Sequence, residues 1–305
     1  MNTPPRAIWL DTDIIFNRFA EDVDDGLALM LALASPRVVL RGISLMRGVD
    51  NGLAVTQRLL AHYARYPVPV YRGADDIFAG HGTRSEAVDQ LAAALRRERL
   101  TIVAIGSATN LANLILFHPD VLERIDEIVF CAGRQQGVTF TAPGGRRIPL
   151  PDANFDNDTE STRLLLATAI PLTLVGFEAS ASIRLNGPDI GRIRHRGRKG
   201  DRWVARRLEW WRWVWRLGLR LPGFIPFDAC TMGYLLCPEL FQCHRDIPVA
   251  ISRRANDAPR WKKDAEKDYL EVSYALPAIR RVDFAYQLDP QFKDILMAHL
   301  LGDNA

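Results

Sequence analysis

Ala7-Ile8-Trp9-Leu10-Asp11-Thr12-Asp13, continued after an intervening loop by Asp22-Val23-Asp24-Asp25-Gly26-Leu27-Ala28-Leu29, is the stretch on which the reading of this chain turns. Its apolar opening reads as a buried strand. Five aspartates, Asp11, Asp13, Asp22, Asp24 and Asp25, follow within the first 25 residues. Two unit charges about 4 Å apart at an effective dielectric of about 20 repel by roughly 4 kcal/mol, so a cluster of this kind calls for a cation. A hard divalent ion that takes about 6 to 8 oxygen ligands turns the repulsion into coordination, which points to calcium or magnesium. An exposed acidic loop or helix cap is the plainer alternative, but solvated acid runs seldom follow a buried-strand signature so closely.

Outward from that strand, short apolar runs alternate with amphipathic stretches through the first 180 residues, the pattern of βαβ units around a mostly parallel sheet. Strands are expected at residues 7–10, 38–45, 68–71, 101–105, 127–131 and 172–175, and helices at 25–34, 51–65, 85–97, 110–117 and 158–169. Asn51 and Ser85 are the expected N-caps of the second and third helices. The fold class predicted is α/β: an open, mostly parallel sheet flanked by helices. In such sheets ligands bind outside the carboxyl ends of the strands. The acidic cluster ends the first strand and Gly106-Ser107-Ala108-Thr109-Asn110 ends the fourth, so two chemically equipped loops are expected to share one crevice.

Composition bounds the rest. A chain of 305 residues, 48% hydrophobic and 25% charged, has the apolar content for a large core, and no Ser/Gly-rich linker divides it. A single domain over residues 1–305 is expected. The formal charge of +3 is small, so no whole-molecule field favours nucleic acid or a membrane as main partner. Four irregularly spaced cysteines, Cys131, Cys230, Cys237 and Cys243, suit neither a disulfide scaffold nor a CxxC zinc site, and a cytoplasmic location is expected. No signal-like start and no run of about 18 apolar residues speaks for export or insertion.

Beyond residue 180 the texture changes. Residues 192–202 form a dense basic run, and residues 203–221 carry five tryptophans interleaved with arginines. Helical spacing sets Trp203, Trp210 and Trp213 near one face, with Trp211 and Trp215 one turn apart beside it. Three readings compete: a helix packed on the core with snorkelling arginine stems, a surface that stacks nucleobases, or a flap over the crevice. A helix at 228–236, an apolar run at 247–251, a strand pair at 270–274 and 281–286, and a last helix at 290–301 complete the expectation.

The ordered set of short motifs resembles the inosine-uridine-preferring nucleoside hydrolase family. Leu10-Asp11-Thr12-Asp13 with Asp22-Val23-Asp24-Asp25-Gly26 is similar to its aspartate-rich amino-terminal signature, and Ala108-Thr109-Asn110-Leu111-Ala112 to its Leu-Thr-Asn segment. Cys131-Ala132-Gly133 stands where a Met-Gly-Gly usually ends a strand. Pro151-Asp152-Ala153-Asn154 resembles the Glu-Phe-Asn element, and Phe227-Asp228-Ala229 before Cys237-Pro238-Glu239-Leu240-Phe241 resembles the carboxy-terminal metal-aspartate helix. The resemblance implies a calcium site of Asp13, Asp25, the main-chain carbonyl of Thr109 and Asp228. It further implies that Asp24 binds a ribose hydroxyl while Asp152 and Asn154 hold the sugar from the other side. A helical flap in the carboxy-terminal half, a small-molecule nucleoside substrate, a place in nucleoside salvage and a homodimer or homotetramer complete the implied picture.

The reaction so implied is calcium-dependent hydrolysis of the N-glycosidic bond of ribonucleosides through an oxocarbenium-like transition state, with Asp13 as general base. Several departures bear on it. Phe227 stands where well-known members carry a histidine, and can stack on a base without protonating it. Val49 stands where a sugar-binding Asn is common, leaving Asp50 or Asn51 to compensate. Near Gly144-Gly145-Arg146-Arg147 the usual 5′-hydroxyl-binding Asn is not evident, and the two arginines read either as a solvated loop or as a site for a 5′-phosphate. Of the six scattered histidines only His195, beside the flap, invites a test. A relative that binds nucleosides or pentoses without efficient chemistry is the alternative function, and a nucleic-acid module built on the tryptophan-rich segment ranks behind it.

Overall fold

The computed structural model describes residues 4–16, 22–258 and 264–302. Twelve strands are present among them: β1 (Arg6–Thr12), β2 (Val38–Leu45), β3 (Val70–Arg72), β4 (Leu100–Ala104), β5 (Ile125–Phe130), β6 (Arg134–Gln135), β7 (Leu172–Val175), β8 (Leu185–Asn186), β9 (Gly223–Phe224), β10 (Phe241–Ala255), β11 (Glu266–Val272) and β12 (Arg280–Leu288). The helices are α1 (Asp24–Ala34), α2 (Val49–Tyr63), α3 (Glu86–Arg97), α4 (Thr109–Phe117), α5 (Ala153–Asp156), α6 (Thr159–Leu166), α7 (Phe177–Ser180), α8 (Gly187–His195), α9 (Asp201–Leu219), α10 (Phe227–Leu236) and α11 (Phe292–Leu301).

Ten of the strands form one sheet in the order β3-β2-β1-β4-β5-β7-β12-β10-β11-β6, the first seven mutually parallel. Two apolar layers cover it. Leu27, Leu31, Leu59, Met232 and Leu296 pack on one face, whereas Val88, Leu91, Leu111, Leu114 and Leu165 pack on the other. The sheet order reverses direction between β1 and β4, because the chain runs β1 to β2 to β3 on one side and resumes with β4 on the other. A crevice opens outside the carboxyl ends of the strands at such a switch point. The mostly parallel sheet agrees with the fold class read from the sequence.

The six strands expected before residue 180 fall where the apolar runs place them, as β1 to β5 and β7, whereas the two-residue β6 was not expected. Ser85 caps α3 by accepting from the Val88 amide, as expected, but Asn51 does not cap α2. That helix starts at Val49 behind a left-handed Gly48, with the Val49 amide donating to Asp75 Oδ1 at 2.7 Å. The expected strand pair near the carboxyl end also differs: β11 and β12 do not pair with each other. The long strand β10 lies between them, and Val249 is opposite both Val272 of β11 and Arg280 of β12. Each takes one half of β10, on opposite edges, so the local hairpin reading failed because a 15-residue strand accommodates two partners in succession.

Candidate active site

Acids from opposite ends of the chain meet at the floor of the crevice. Asp24 and Asp25 open α1, Asp228 lies in the first turn of α10, and one oxygen of each lies within 4.8 Å of the others. The two helices pack along apolar sides that include Ala28, Leu31, Ala229 and Met232, which brings their amino termini together. The Asp228 amide donates to Asp24 Oδ2 at 3.1 Å, and the Thr12 hydroxyl donates to Asp25 Oδ1. Helix amino termini carry partial positive charge, which tempers the crowding without cancelling it. At an effective dielectric of about 20, each ionised pair within this distance still costs roughly 3 kcal/mol or more.

Burial, reinforced by neighbouring carboxylates, pushes the Asp25 and Asp228 carboxyls well above their ordinary range, and burial raises Asp24 too. Asp24 Oδ1 is buried without a hydrogen-bond partner among the described residues. An all-oxygen donor set, surplus negative charge and an orphaned carboxylate oxygen fit a hard cation.

Asp13, just past β1, lines the same cavity and its charge acts on Asp25, although it is not one of the three acids of the 4.8 Å cluster. Its Oδ2 lies 3.4 Å from Arg47 Nη1. Burial raises its pKa and the Arg47 guanidinium opposes the rise. Gly106, just past β4, passes so close that a Cβ there would lie 3.0 Å from the Asp13 amide nitrogen and 3.2 Å from Oδ1. Asp11 serves a different role. Asn110 Nδ2 donates to its Oδ1 at 2.8 Å, while Asn110 Oδ1 accepts from the Ala74 amide at 2.9 Å, lacing β1 to the start of α4. Burial pushes Asp11 up to about 7. Thr109 opens α4 beside it, its hydroxyl donating to Asp158 Oδ2 at 2.5 Å.

Asp152 and Asn154 close the opposite side. Asp152 Oδ2 accepts from the Gly133 amide at 2.8 Å, and burial pushes its carboxyl up to about 6. Asn154 Nδ2 donates to the carbonyls of Cys131 at 2.9 Å and Ile105 at 3.2 Å, which anchors it to the ends of β5 and β4. Both side chains line a cavity of about 740 Å³.

Above this polar floor the cavity is aromatic. Phe140 stacks on Phe177 with centroids 4.3 Å apart, Phe177 meets Phe227 at 5.4 Å, Phe227 meets Trp215 at 6.4 Å, and Trp215 meets Trp211 at 6.5 Å. Trp211, Val214, Trp215 and Leu219 of α9 face the cavity, so the flap reading describes this side of the helix. The loop before α5 is tied to the end of α9, the Arg146 amide donating to the Leu219 carbonyl at 2.7 Å and Arg146 Nη1 to the Gly218 carbonyl at 3.3 Å.

Most of the expected side chains line this cavity: Asp13, Asp24, Asp25, Asp152, Asn154, Phe227 and Asp228, and Arg146 as well. Others do not. Val49 is buried in α2, Asp50 pairs with Arg72, and neither they nor Asn51 reach the lining, which receives Arg47 instead. Arg147 stays outside, and His195 is exposed at the last turn of α8. Trp203 does not share the exposure of Trp210 and Trp213; Phe16 lies against it at 5.2 Å and Arg58 covers its ring at 4.3 Å. Reading the sequence missed Arg47, Phe140 and Phe177. The left-handed turn that carries the first, with positive φ at both Arg47 and Gly48, is visible only in the structure.

The model for inosine-uridine preferring nucleoside hydrolases matches residues 8–269. A pyrimidine-specific ribonucleoside hydrolase of Citrobacter koseri is 28% identical over 254 residues, covering 72% of this chain and 77% of that protein. Its counterpart from an Enterobacter species is 27% identical over the same shares. Among solved structures, a plant nucleoside hydrolase superposes with a TM-score of 0.77 at 18% identity, covering 98% of this chain and 99% of that one. A purine-preferring ribonucleoside hydrolase from Gardnerella vaginalis gives 0.74 at 19% identity, covering 98% and 100%. With the acidic floor and the sheet that carries it, these findings place the chain in the inosine-uridine preferring nucleoside hydrolase family, hydrolases that act on the N-glycosyl bond of ribonucleosides.

Proposed function

We propose that this chain is a calcium-dependent ribonucleoside hydrolase working as one α/β domain, with the ion held by Asp13, Asp25, Asp228 and the main-chain carbonyl of Thr109. The observation that carries the reading is the meeting of Asp24, Asp25 and Asp228 beneath an aromatic cavity large enough for a nucleoside. A calcium ion bound there supplies about 6 to 8 oxygen-coordination positions, enough for these donors, ribose hydroxyls and water. Magnesium, which demands a tighter octahedral shell and gives up water reluctantly, suits a donor set spread over three loops less well.

Asp13 is the proposed base. It takes a proton from the attacking water, a contribution on the order of 10² to 10⁴ in rate. Asp24 accepts from a ribose hydroxyl, and Asp152 with Asn154 holds the sugar from the β5 side. The surrounding carboxylates are in place before reaction and favour the positive charge that develops on the ribose ring as the bond to the base breaks. Phe227, Phe177, Trp211 and Trp215 hold the nucleobase by stacking, and their hydrocarbon surfaces exclude water from it. None of these four donates a proton to the leaving base.

The test is release of reducing sugar from uridine and inosine, with metal content measured in parallel. Chelation is expected to abolish turnover and calcium to restore it better than magnesium. Undiminished turnover by metal-free protein would reject the calcium site. The four cysteines are free thiols, which suits the cytoplasm, and sedimentation would settle whether a dimer or tetramer forms.

A further inference from the structure

The outer side of α9 carries a surface that the active site does not use. Residues 192–220 contain eleven arginines and lysines against two acids, a net of +9 in a chain whose total is +3. Asp201 is buried with Arg198 and Tyr63, and Glu209, partly exposed beside Trp213, is paired with Arg212. What faces outward is a stripe at helical spacing, Arg202, Arg206, Trp210, Trp213 and Leu217, with Arg216 against Trp213 at its edge and Arg220 just past the helix end, every member exposed. Trp210 and Trp213 are 46% and 42% exposed and Leu217 is 72% exposed, which is unusual for such large apolar side chains beside one another. Among the described residues no carboxylate lies within ion-pair distance of Arg202, Arg206 or Arg220.

We propose that this face of α9 docks the enzyme on an anionic lipid surface. Charge decides the sign of the partner: a symmetric dimer through this stripe would set one basic face against its copy, so a negatively charged surface is favoured. Shape and chemistry decide its class. A lone outward helix face is convex, suited to a flat bilayer. Leu217 has no π-face for a nucleobase, but with two indoles it fits the boundary between headgroups and acyl chains, where tryptophan is enriched. Arginines at both ends of the stripe meet acidic headgroups, an attraction that fades within a Debye length. No helix among the described residues is long and apolar enough to cross a membrane, so the contact is peripheral. Because Trp211 and Trp215 on the other side of the same helix line the cavity, the docked face and the base-binding wall belong to one element.

The experiment is co-sedimentation of the full chain with vesicles of phosphatidylcholine alone or containing phosphatidylglycerol, at low and high salt, with a single-stranded oligonucleotide as competitor. Binding to the anionic vesicles alone, weakening with salt, is expected. Arg202→Glu with Arg206→Glu should lower the partition coefficient about thirtyfold or more, and Trp213→Ala with Leu217→Ala should lower it while leaving uridine or inosine hydrolysis unchanged. These side chains lie outside the cavity lining, so turnover also reports that each variant is folded. Absence of binding to anionic vesicles at low salt, equal binding by the charge-reversed variant, or displacement by the oligonucleotide would each overturn the proposal.

Discussion

The floor and the wall of the cavity are built by opposite means. The floor is rigid and charged: Asp13, Asp24, Asp25 and Asp228 are buried at strand and helix ends that the packed core fixes in place. The wall is apolar and assembled from pieces, with Phe140 from a loop, Phe177 from a four-residue helix, Phe227 from the start of α10, and Trp211 and Trp215 from a helix whose far side is open to solvent. In the proposed reaction the floor sets the chemistry and tolerates little change, and the wall sets which base fits, with parts replaceable one at a time.

The sharpest way to break that contrast is to alter each in turn. Asp25→Ala and Asp228→Ala should each cut turnover on the order of 10³-fold or more and lower the bound metal together with it. Metal analysis beside single-turnover assays checks this, and retention of a full complement of metal by either variant would remove that residue from the ligand set. In the wall, Phe227→Leu keeps the volume apolar but loses the aromatic face. Base stacking on an aromatic side chain is worth about 1–3 kcal/mol, so KM should rise about 5- to 160-fold with a smaller change in kcat. A loss confined to kcat would place Phe227 in the chemical step and erase the distinction between the two regions.

Asp152 lies between them and offers a subtler test. Its folded carboxyl is pushed up to about 6 from 3.8, so the native state holds the proton more tightly than the unfolded chain. Native stability from this group is therefore full below about pH 4 and is lost as pH rises through about 6, a change of up to about 3 kcal/mol. Asn in its place can still accept from the Gly133 amide but cannot ionise. In chelator, Asp152→Asn and the parent should melt alike near pH 4, and the variant should be the more stable near pH 8. Parallel melting curves across that range would mean that Asp152 is not held at a raised pKa.

How much of this was legible in sequence follows the same division. The floor announced itself because carboxylates rarely crowd behind a buried strand without a reason, and the β1 and β4 ends are brought together by a sheet whose parallel order the apolar runs already imply. Asp228 carries no such local signal; only its likeness to a family motif joined it to residues 204 positions earlier in the chain. The wall was read in part, since α9 was visible as aromatic and Phe227 was named from the family motif, but Phe140 and Phe177 sit in segments with no periodicity to mark them. Arg47 was missed for a related reason. Sequence comparison drew attention to Val49, yet the left-handed turn at Arg47 and Gly48 aims the earlier side chain into the cavity.

Arg146 gives the smallest expected effect and the finest test of where the floor's charge ends. It is exposed, lines the cavity, and spends one guanidinium nitrogen on the Gly218 carbonyl at 3.3 Å, leaving other donors for a substituent on the sugar. If it receives a 5′-phosphate, Arg146→Ala should lower kcat/KM for a nucleoside 5′-monophosphate by about fivefold to tenfold and leave the nucleoside nearly unchanged, the range for one charged hydrogen bond open to water. The acids below argue the other way, because Asp13 and Asp24 repel an added dianion across the same cavity. The ratio of the two substrates in parent and variant weighs one guanidinium against those carboxylates. A parent that strongly prefers the unphosphorylated nucleoside, with a ratio that Arg146→Ala does not move, would show that the floor's charge governs the whole cavity and that Arg146 serves only to tie its loop to α9.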